Sequence, residues 1–393
     1  MLSVTPLTID LTYLRQVLLE LLEIPSPTGR TDHVQQYVGE RLDQLGVPFM
    51  VTRRGAIVAE LGGGDEGAPP SRAVAVHTDT IGVMIRRLKS NGRLELKEVG
   101  THSARFSEGA TVWIFPDALD TVYTGQILPL KASGHRWNDE VDSQGVGWEQ
   151  VEVRIDEQVS SIEDLRALGL DVGDFVAQLA NPIITSSGFV RSRHLDDKAG
   201  VAATLAAVKA VKDADAKLPV RTQLLVTCAE EIGHGASHGL DPEVAEMVSI
   251  DAAIVAPGQQ STETAVTVTM ADSMGPFDYH LTRRLHSLAV EAGIDVVRDT
   301  FAHYRSDAAA ALEAGAHLRV ALLGFGVDAS HGHERTHLTS LTGLAGLLTS
   351  WLQSDLVFPA WDTKPAGPLS EFPSLAVQPA QEEGPQRGPI LGE

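Results

Sequence analysis

The chain has a single cysteine, few aromatic residues and too few basic residues to balance its acidic ones. Because Cys228 is the only thiol, a disulfide framework and a thiolate metal cluster are both excluded. Lys and Arg number 31 against 52 Asp and Glu, which gives a formal charge of -21 at pH 7. An acidic surface of this kind repels phosphate backbones and anionic lipid, so no nucleic-acid partner is expected.

Long apolar runs and a targeting segment are also absent from the sequence. No uninterrupted apolar stretch approaches the roughly 20 residues that a bilayer span needs. The first 22 residues have no basic start and carry Asp10 and Glu20 within their apolar stretch, which is not the pattern of a signal peptide. We therefore expect no membrane association and a cytoplasmic location.

Helical and strand-like patterns alternate along much of the chain. Apolar residues recur on one face over 11–22 and over 32–45, which predicts two amphipathic helices. Further on, the pattern predicts strands at 57–61, 73–76, 223–228, 252–256 and 320–324, and helices at 199–211, 279–292, 306–314 and 340–352. Such alternation is typical of an α/β sheet with largely parallel strands.

The stretch from 86 to 183 has a different pattern. Short apolar runs are separated by turn residues, and only 161–168 shows a helical period. This predicts a small β-barrel inserted between two parts of one α/β domain, residues 1–85 and 184–356. Prolines recur through the final segment, 357–393, which predicts a disordered tail.

Two of the motifs that can carry chemistry contain aspartates close to a histidine, namely His77 to Asp79 and His194 to Asp197. His77 directly follows an apolar strand, and Asp79 is a candidate to orient its ring, although a chance surface pair is an alternative. Asp196 and Asp197 precede an alanine-rich helix. They are candidates either for a metal site, with Asp196 bridging two cations, or for an ordinary helix N-cap.

Glutamates and further histidines follow other strands. Glu230 and Glu231 come just after the strand that ends at Cys228, and such a pair is costly to bury without a cation. We interpret it as one general base and one metal ligand. Asp251 lies within an apolar run, and a cluster from His331 to His337 follows the last strand. Imidazole and carboxylate ligands suit zinc, cobalt or manganese.

The order His-x-Asp, Asp-Asp, Glu-Glu, Asp, His resembles metallopeptidase family 42, the tetrahedral and glutamyl aminopeptidases with co-catalytic zinc. The resemblance covers about residues 10–355 and is carried by short motifs, namely Val74–Gly82, Gly173-Asp174, Gly188–Val190, Leu195–Asp197, Glu230–Gly233 and Ser306–Ala308. It implies an α/β fold, a three-layer α/β/α domain with a mixed central sheet and an inserted β-barrel. The subgroup associated with the N-acetylglutaminylglutamine amide osmolyte looks closest.

Carried over residue by residue, the resemblance implies two divalent metal ions, preferably Zn²⁺, with Co²⁺ or Mn²⁺ as alternatives. The implied metal ligands are His77, Asp196, Glu231, Asp251 and His331. Glu230 would be the catalytic base, and Asp79 would orient His77. The implied substrate is a short peptide or a dipeptide derivative.

The resemblance also implies a homo-oligomer built from dimers, up to a dodecamer. The inserted barrel would mediate this assembly, because an inserted β-module exposes strand edges that need a cover.

Two departures from the family pattern affect the site. Lys198 stands where Arg is usual. The step from His331 to Glu334 is one residue shorter than usual, which makes His333 a rival ligand.

Three alternatives stay open at this stage. The sequence from Gly235 to Gly239 matches the G-x-S-x-G pattern of serine hydrolases, although Ser237 does not directly follow a strand. A metal-binding protein without catalytic activity is the second alternative, but it would not need both Glu230 and Glu231. The third is an amidohydrolase or deacylase that acts on a small N-acylated amino acid or dipeptide derivative.

Overall fold

The computed structural model describes residues 6–64, 71–118 and 120–373. Its first helix begins after Asp10, whose carboxylate accepts a hydrogen bond from the Tyr13 N–H at 3.0 Å, and it ends two residues before Pro25. The α-helices are α1 (Leu11–Glu23), α2 (Asp32–Gln44), α3 (Gly134–Trp137), α4 (Ile162–Ala167), α5 (Leu195–Asp213), α6 (Tyr279–Glu291), α7 (Asp307–Glu313), α8 (Leu338–Leu352) and α9 (Pro359–Asp362).

The strands fall into a large sheet and a barrel. In chain order they are β1 (Phe49–Val51), β2 (Ile57–Gly62), β3 (Arg72–His77), β4 (Gly82–Leu88), β5 (Leu94–Val99), β6 (Thr111–Phe115), β7 (Tyr123–Pro129), β8 (Val151–Ile155), β9 (Phe175–Gln178), β10 (Ile183–Ile184), β11 (Phe189–Ser192), β12 (Thr222–Thr227), β13 (Glu246–Val255), β14 (Val266–Asp272), β15 (Gly275–Pro276), β16 (Val296–Thr300), β17 (Arg319–Asp328) and β18 (Glu334–His337).

The large sheet has the order β1-β2-β12-β3-β13-β17-β18-β11-β10, and β14 to β16 extend it from β17. Its centre, β12-β3-β13-β17, is parallel, and so is the pair β14–β16. The flanking pairs β2–β12, β17–β18 and β14–β17 are antiparallel. The mixed sheet that the resemblance implies is thus present. The expectation of largely parallel strands is wrong for most of the pairs outside the centre, because short antiparallel strands such as β18 follow no helical segment and leave little trace in the sequence pattern.

Helices cover both faces of this sheet. Side chains of β3 alternate, so that Val74 and Val76 pack into one apolar cluster with α1, α5 and α8, while Ala73 and Ala75 pack into another with α7. Helix α5 is buried along most of its length and is rich in alanine, which lets it lie close to the strands. The α/β/α layering follows from these two clusters.

The insert is a closed six-stranded antiparallel barrel with the order β4-β5-β8-β7-β6-β9 and an apolar core of its own. The mixed α/β fold with a β-barrel, which the sequence predicts, is confirmed. The barrel begins at Gly82, inside the segment assigned to the α/β domain. Because the barrel is closed, its described strands are paired on both sides, and the argument from exposed strand edges is wrong.

Two other expectations, the start of strand β13 and the state of the proline-rich segment, can be compared with the structure. Strand β13 begins at Glu246 rather than 252, so Asp251 lies within the strand and not before it. The first part of the proline-rich segment contains α9, which is tied to β17 by the Arg319 Nε–Asp362 Oδ1 ion pair at 3.1 Å. The rest of the predicted disordered tail, 374–393, lies outside the described residues.

Candidate metal centre

The predicted site residues meet where the parallel strands end. His77 is the last residue of β3, Glu230 and Glu231 follow β12, and Asp196 precedes the regular part of α5. Open α/β sheets place their ligands at this carboxyl edge. Asp251 reaches the same place from within β13. The fold therefore brings together residues that are up to 174 positions apart in the sequence.

His77, Asp196 and Asp251 form one buried group. The side-chain atoms that could bind a metal all lie within 4.8 Å of one another. His77 Nε2 is 3.2 Å from Asp196 Oδ1 and 3.9 Å from Asp251 Oδ1. One imidazole and two carboxylates at these distances could hold a cation.

His331 forms a second group with Asp196 and Glu231. Its Nε2 atom is 3.4 Å from Asp196 Oδ2 and 3.4 Å from Glu231 Oε2. His333, the rival ligand, is exposed. Among the described residues, the geometry therefore favours His331 over His333.

Both histidines are oriented through their other ring nitrogen. His77 Nδ1 lies 2.9 Å from the Asp79 carbonyl oxygen, and His331 Nδ1 lies 2.7 Å from the Thr101 carbonyl oxygen. Because a carbonyl oxygen only accepts, Nδ1 carries the proton in each case. In the neutral imidazole, Nε2 then directs a lone pair at the carboxylates. Two acceptors that face each other in this way need either a proton or a metal cation between them.

Unsatisfied atoms support the same conclusion. His77 Nε2 and Asp196 Oδ1 are fully covered and lack a hydrogen-bond partner among the described residues. Buried polar atoms are normally satisfied, so this pair calls for a ligand. The donor set, imidazole nitrogen and carboxylate oxygen, suits a divalent metal such as zinc. The residues present thus fit a metal ion.

The pKa shifts of the buried carboxyl groups and of His331 also indicate a site that suits a cation. Burial raises the pKa of Glu230 and Asp251 well above their usual range, and it raises the pKa of Glu231 to about 7. Burial opposes the protonation of His331, but the negative charges of Glu231 and Asp196 outweigh it and raise the pKa of His331 to about 11. The centre therefore holds more negative charge than its imidazoles neutralise, and a bound cation would replace these protons.

Asp79 acts differently from the sequence expectation. It orients His77 through its backbone carbonyl, while its carboxylate Oδ1 is 3.5 Å from His77 Nδ1. That carboxylate instead accepts hydrogen bonds from the backbone N–H groups of Glu230 and Glu231 and from the Thr28 hydroxyl. Asp79 thereby positions the loop that carries both glutamates.

Two further buried carboxylates brace the centre, and sequence reasoning assigned no role to either. Glu334 accepts hydrogen bonds from the backbone N–H groups of Asp196 at 3.1 Å and His331 at 2.8 Å. Asp307 accepts from the Thr227 hydroxyl at 2.6 Å and the Ala236 N–H at 2.7 Å. The only available signal was their place in the motifs His331–Glu334 and Ser306–Ala308, which says nothing about what they contact.

A cavity of about 1050 Å³ opens onto the centre. Its polar wall includes Asp196, Glu230 and His331, and its apolar wall includes Ile254 and Phe301. Thr101, His102 and Phe106 of the insert also line it, so the barrel contributes to the cavity. Catalytic pockets commonly combine apolar walls with a few convergent polar groups in this way.

The serine-hydrolase alternative finds no support in the geometry. The Ser237 hydroxyl donates to the His234 carbonyl oxygen at 2.7 Å. The nearby His238 contacts Thr52 and Arg54 instead of a carboxylate, among the residues that the structure describes. A nucleophilic serine needs a histidine base that is itself oriented by an acid. Separately, no helix within the described ranges is long and apolar enough to cross a bilayer.

Comparisons of the sequence with known proteins identify a family. Residues 55–347 match the sequence profile of the M42 glutamyl aminopeptidases. The chain is 37% identical, over 342 residues, to the Bacillus subtilis (strain 168) protein named "Putative aminopeptidase YhfE", which covers 87% of this chain and 98% of that protein.

Solved structures share the fold. An aminopeptidase from the archaeon Desulfurococcus kamchatkensis superposes with a TM-score of 0.81 at 19% identity, covering 91% of this chain and 99% of that one. The TET1 peptidase of Pyrococcus horikoshii superposes with a TM-score of 0.74 at 21% identity, covering 86% and 98%. The profile match and the 37% identical relative show that the chain belongs to the M42 glutamyl aminopeptidase family and is a hydrolytic enzyme.

Proposed function

We propose that the protein is an aminopeptidase that binds two divalent metal ions, preferably zinc, and releases the N-terminal residue of short peptides. The observation that supports this most strongly is the position of Asp196 between two imidazoles. Its Oδ1 faces His77 Nε2 at 3.2 Å, and its Oδ2 faces His331 Nε2 at 3.4 Å. A carboxylate that offers one oxygen to each of two sites is suited to bridge two ions, as co-catalytic sites require.

Each metal site has its own ligands besides Asp196. His77 and Asp251 would complete the first, and His331 and Glu231 would complete the second. When bound, the ions would polarise the scissile carbonyl and lower the pKa of a water molecule. Cobalt or manganese would suit the same ligands.

Glu230 is the proposed general base. Its Oε2 atom lies 3.8 Å from His77 Nε2, its side chain lines the cavity, and neither set of metal ligands needs it. We infer that Glu230 takes a proton from the attacking water and returns it to the leaving nitrogen. Burial raises the pKa of Glu230, which helps the carboxyl to hold that proton between the two steps.

The cavity supports the proposed substrate class, a short peptide. Its volume of about 1050 Å³ can hold a short peptide. The sequence resemblance adds a finer proposal, a small glutamine- or glutamate-containing dipeptide derivative related to the osmolyte N-acetylglutaminylglutamine amide.

Assembly is proposed from the relatives. One superposed structure is described as a dodecamer, and the Pyrococcus horikoshii peptidase is described as forming a tetrahedron or a large octahedral shell. We propose that this chain also forms a homo-oligomer built from dimers, up to a dodecamer, with the barrel between residues 82 and 178 as the contact module.

One panel of substrates tests the function. It contains matched amino-acid amides and dipeptides, each with a free and an N-acetylated amine, assayed with zinc, cobalt and manganese. We expect turnover of the free amines alone. Turnover of the acetylated forms alone would make the protein a deacylase, and no turnover with two bound metal ions would contradict the aminopeptidase function.

A further inference from the structure

The cavity beside the metal centre has one strongly basic side chain on its wall. Arg305 is the only arginine or lysine among the described residues that line this cavity. Its guanidinium lies next to the loop of the two glutamates, because a Cβ atom added at Gly233 would be 3.9 Å from Arg305 Cζ. Gly233 lines the same cavity, and the Arg305 side chain is 39% exposed. Arg305 therefore places an accessible positive charge on the wall of the proposed active site.

The loop that carries Arg305 is held at several points. It runs from the end of β16 to α7. The Phe301 N–H donates to the Ala271 carbonyl oxygen at 3.0 Å, and the Ser273 N–H donates to the Tyr304 carbonyl oxygen at 2.9 Å. The base of the Arg305 side chain is thus fixed beside the cavity, while its long stem lets the guanidinium turn towards a ligand.

Arg305 has donors left for such a ligand. Its Nη2 atom forms an ion pair with Glu313 Oε2 at 2.5 Å, and the Glu313 side chain is 44% exposed. Within the described ranges this is the one hydrogen bond of the guanidinium, and Asp272 interacts with its charge only at longer range. A guanidinium has five N–H donors, and exposed ion pairs are weak enough to be exchanged for another carboxylate.

The charges of the cavity decide which group Arg305 would bind. Asp196, Glu230, Glu231 and Asp251 line the side of the metal centre, and they repel an anionic group of a substrate. Bound metal ions would offset part of this charge, but their coordination positions are needed for the scissile carbonyl and water. A substrate carboxylate is therefore favoured at Arg305, whose planar guanidinium matches it with two parallel hydrogen bonds.

We propose that Arg305 is a specificity-determining residue, which binds a carboxylate group of the substrate. The side chain of an acidic residue and the C-terminus of a dipeptide both carry this group, and the contact with Arg305 has the same chemistry in each case. The role rests on the proposed aminopeptidase function and refines its substrate class. No covalent bond to Arg305 forms or breaks.

Three matched dipeptides separate the two sources of the carboxylate. Glu-Gly amide carries it on the side chain, Gln-Gly carries it at the free C-terminus, and Gln-Gly amide carries none. We expect the wild type to prefer one of the two carboxylate-bearing dipeptides over Gln-Gly amide by roughly 10–10²-fold in kcat/KM, the range for a hydrogen bond to a charged group. The preferred dipeptide identifies the source.

Arg305→Gln removes the charge and keeps a polar side chain. The preference should fall to less than about twofold, mainly through KM, because the contact is made equally in the bound substrate and in the transition state. Turnover of Gln-Gly amide should stay within about twofold of the wild type, which shows that the fold and the metal centre are retained. Arg305→Lys should keep part of the preference, since the charge remains and the planar fork is lost.

Two further variants serve as controls. Glu313→Gln removes the ion-pair partner of Arg305 and should leave the preference in place or increase it. Arg87→Gln is the matched arginine control, because Arg87 is exposed and pairs with Glu95 but is not among the described residues that line the cavity. It should leave the preference unchanged.

Binding measurements keep this test independent of turnover. The same three dipeptides with the scissile carbonyl replaced by CH₂ cannot be hydrolysed, and calorimetry gives their affinities for the wild type and for Arg305→Gln. No carboxylate preference in the wild type, or an equal preference in both proteins, would overturn the role of Arg305. A wild type that turns over none of the dipeptides would instead remove the aminopeptidase function, while the affinities still decide whether Arg305 binds a carboxylate.

Discussion

The Asp79 carboxylate holds the backbone of Glu230, because Asp79 Oδ1 accepts a hydrogen bond from the Glu230 N–H at 3.1 Å. Its other oxygen accepts from the Glu231 N–H at 3.2 Å and from the Thr28 hydroxyl at 2.6 Å. The same residue orients His77 through its carbonyl oxygen. One aspartate thus connects a proposed ligand in each metal site with the proposed base.

Asp79→Asn tests this connection. Asparagine has one acceptor oxygen, and its NH₂ group would face one of the two backbone N–H donors, so at least one hydrogen bond is lost. We expect kcat to fall by roughly 10–10²-fold. Steady-state kinetics measures this fall in kcat. Thr28→Val is the control, because that variant loses the Thr28 hydrogen bond to Asp79 but keeps both backbone hydrogen bonds. Equal kcat in Asp79→Asn and the wild type would contradict the positioning role.

Glu230→Gln tests the general base. Glutamine has nearly the same shape but cannot take a proton from water. Hydrolysis should therefore fall by roughly 10²–10⁴-fold or more, while the fold and the metal content are retained. Kinetics paired with elemental analysis checks both. If the variant turns over near the wild-type rate, Glu230 is not the base.

Metal stoichiometry tests the shared carboxylate. The wild type should approach about two ions per chain. Asp196→Asn should lower occupancy at both sites, whereas His77→Ala and His331→Ala should each mainly empty one. His333→Ala is the control, because His333 is exposed and should leave the metal content unchanged. Full metal and activity in Asp196→Asn would favour the simple N-cap role instead.

The pH dependence of stability tests the buried carboxyl groups. Burial raises the pKa of Glu231 to about 7 and that of Glu334 to about 8 from an ordinary 4.5. In the metal-free protein the folded state therefore keeps protons that the unfolded chain releases. The contribution of Glu231 and Glu334 to the free energy of unfolding should therefore be greatest below about pH 4.5. It should fall as the pH rises towards about 8.

Urea unfolding between about pH 5 and 8, with chelator and with zinc, measures this effect. Zinc replaces the protons, so its stabilisation should grow with pH. A chelated protein whose stability does not fall over this range would contradict the raised pKa values. Glu243→Gln, at an exposed surface position, is a control that should leave the pH profile unchanged.

Light scattering tests the assembly. The wild type should have a mass that is a multiple of a dimer. A variant in which a short Gly-Ser linker replaces residues 83–177 should form a smaller species, since it lacks the proposed contact module. Binding of one metal ion by His77, Asp196 and Asp251 would show that its α/β domain is folded. An unchanged oligomer would assign assembly to the α/β domain.

Local patterns account for what the sequence predicted well. Helix α2 begins at Asp32, as predicted from its stripe of apolar residues. Strand β3 ends at His77, directly after the apolar run that predicted the strand. Both patterns can be seen in residues that are close together in the sequence. The residue types of the metal centre were visible for the same reason, since each stands in a short motif beside a strand.

By itself, then, the sequence determined the mixed α/β fold with its inserted barrel and the residues suited to bind metal. Only the tertiary structure decided that Asp79 holds the Glu230 loop, that the barrel closes, and that His331 and not His333 faces Asp196. These relations join residues such as Asp79 and Glu230 that are 151 positions apart. Periodicity and motif spacing record only neighbours along the chain, whereas the packing of strands and loops sets the distances between such partners.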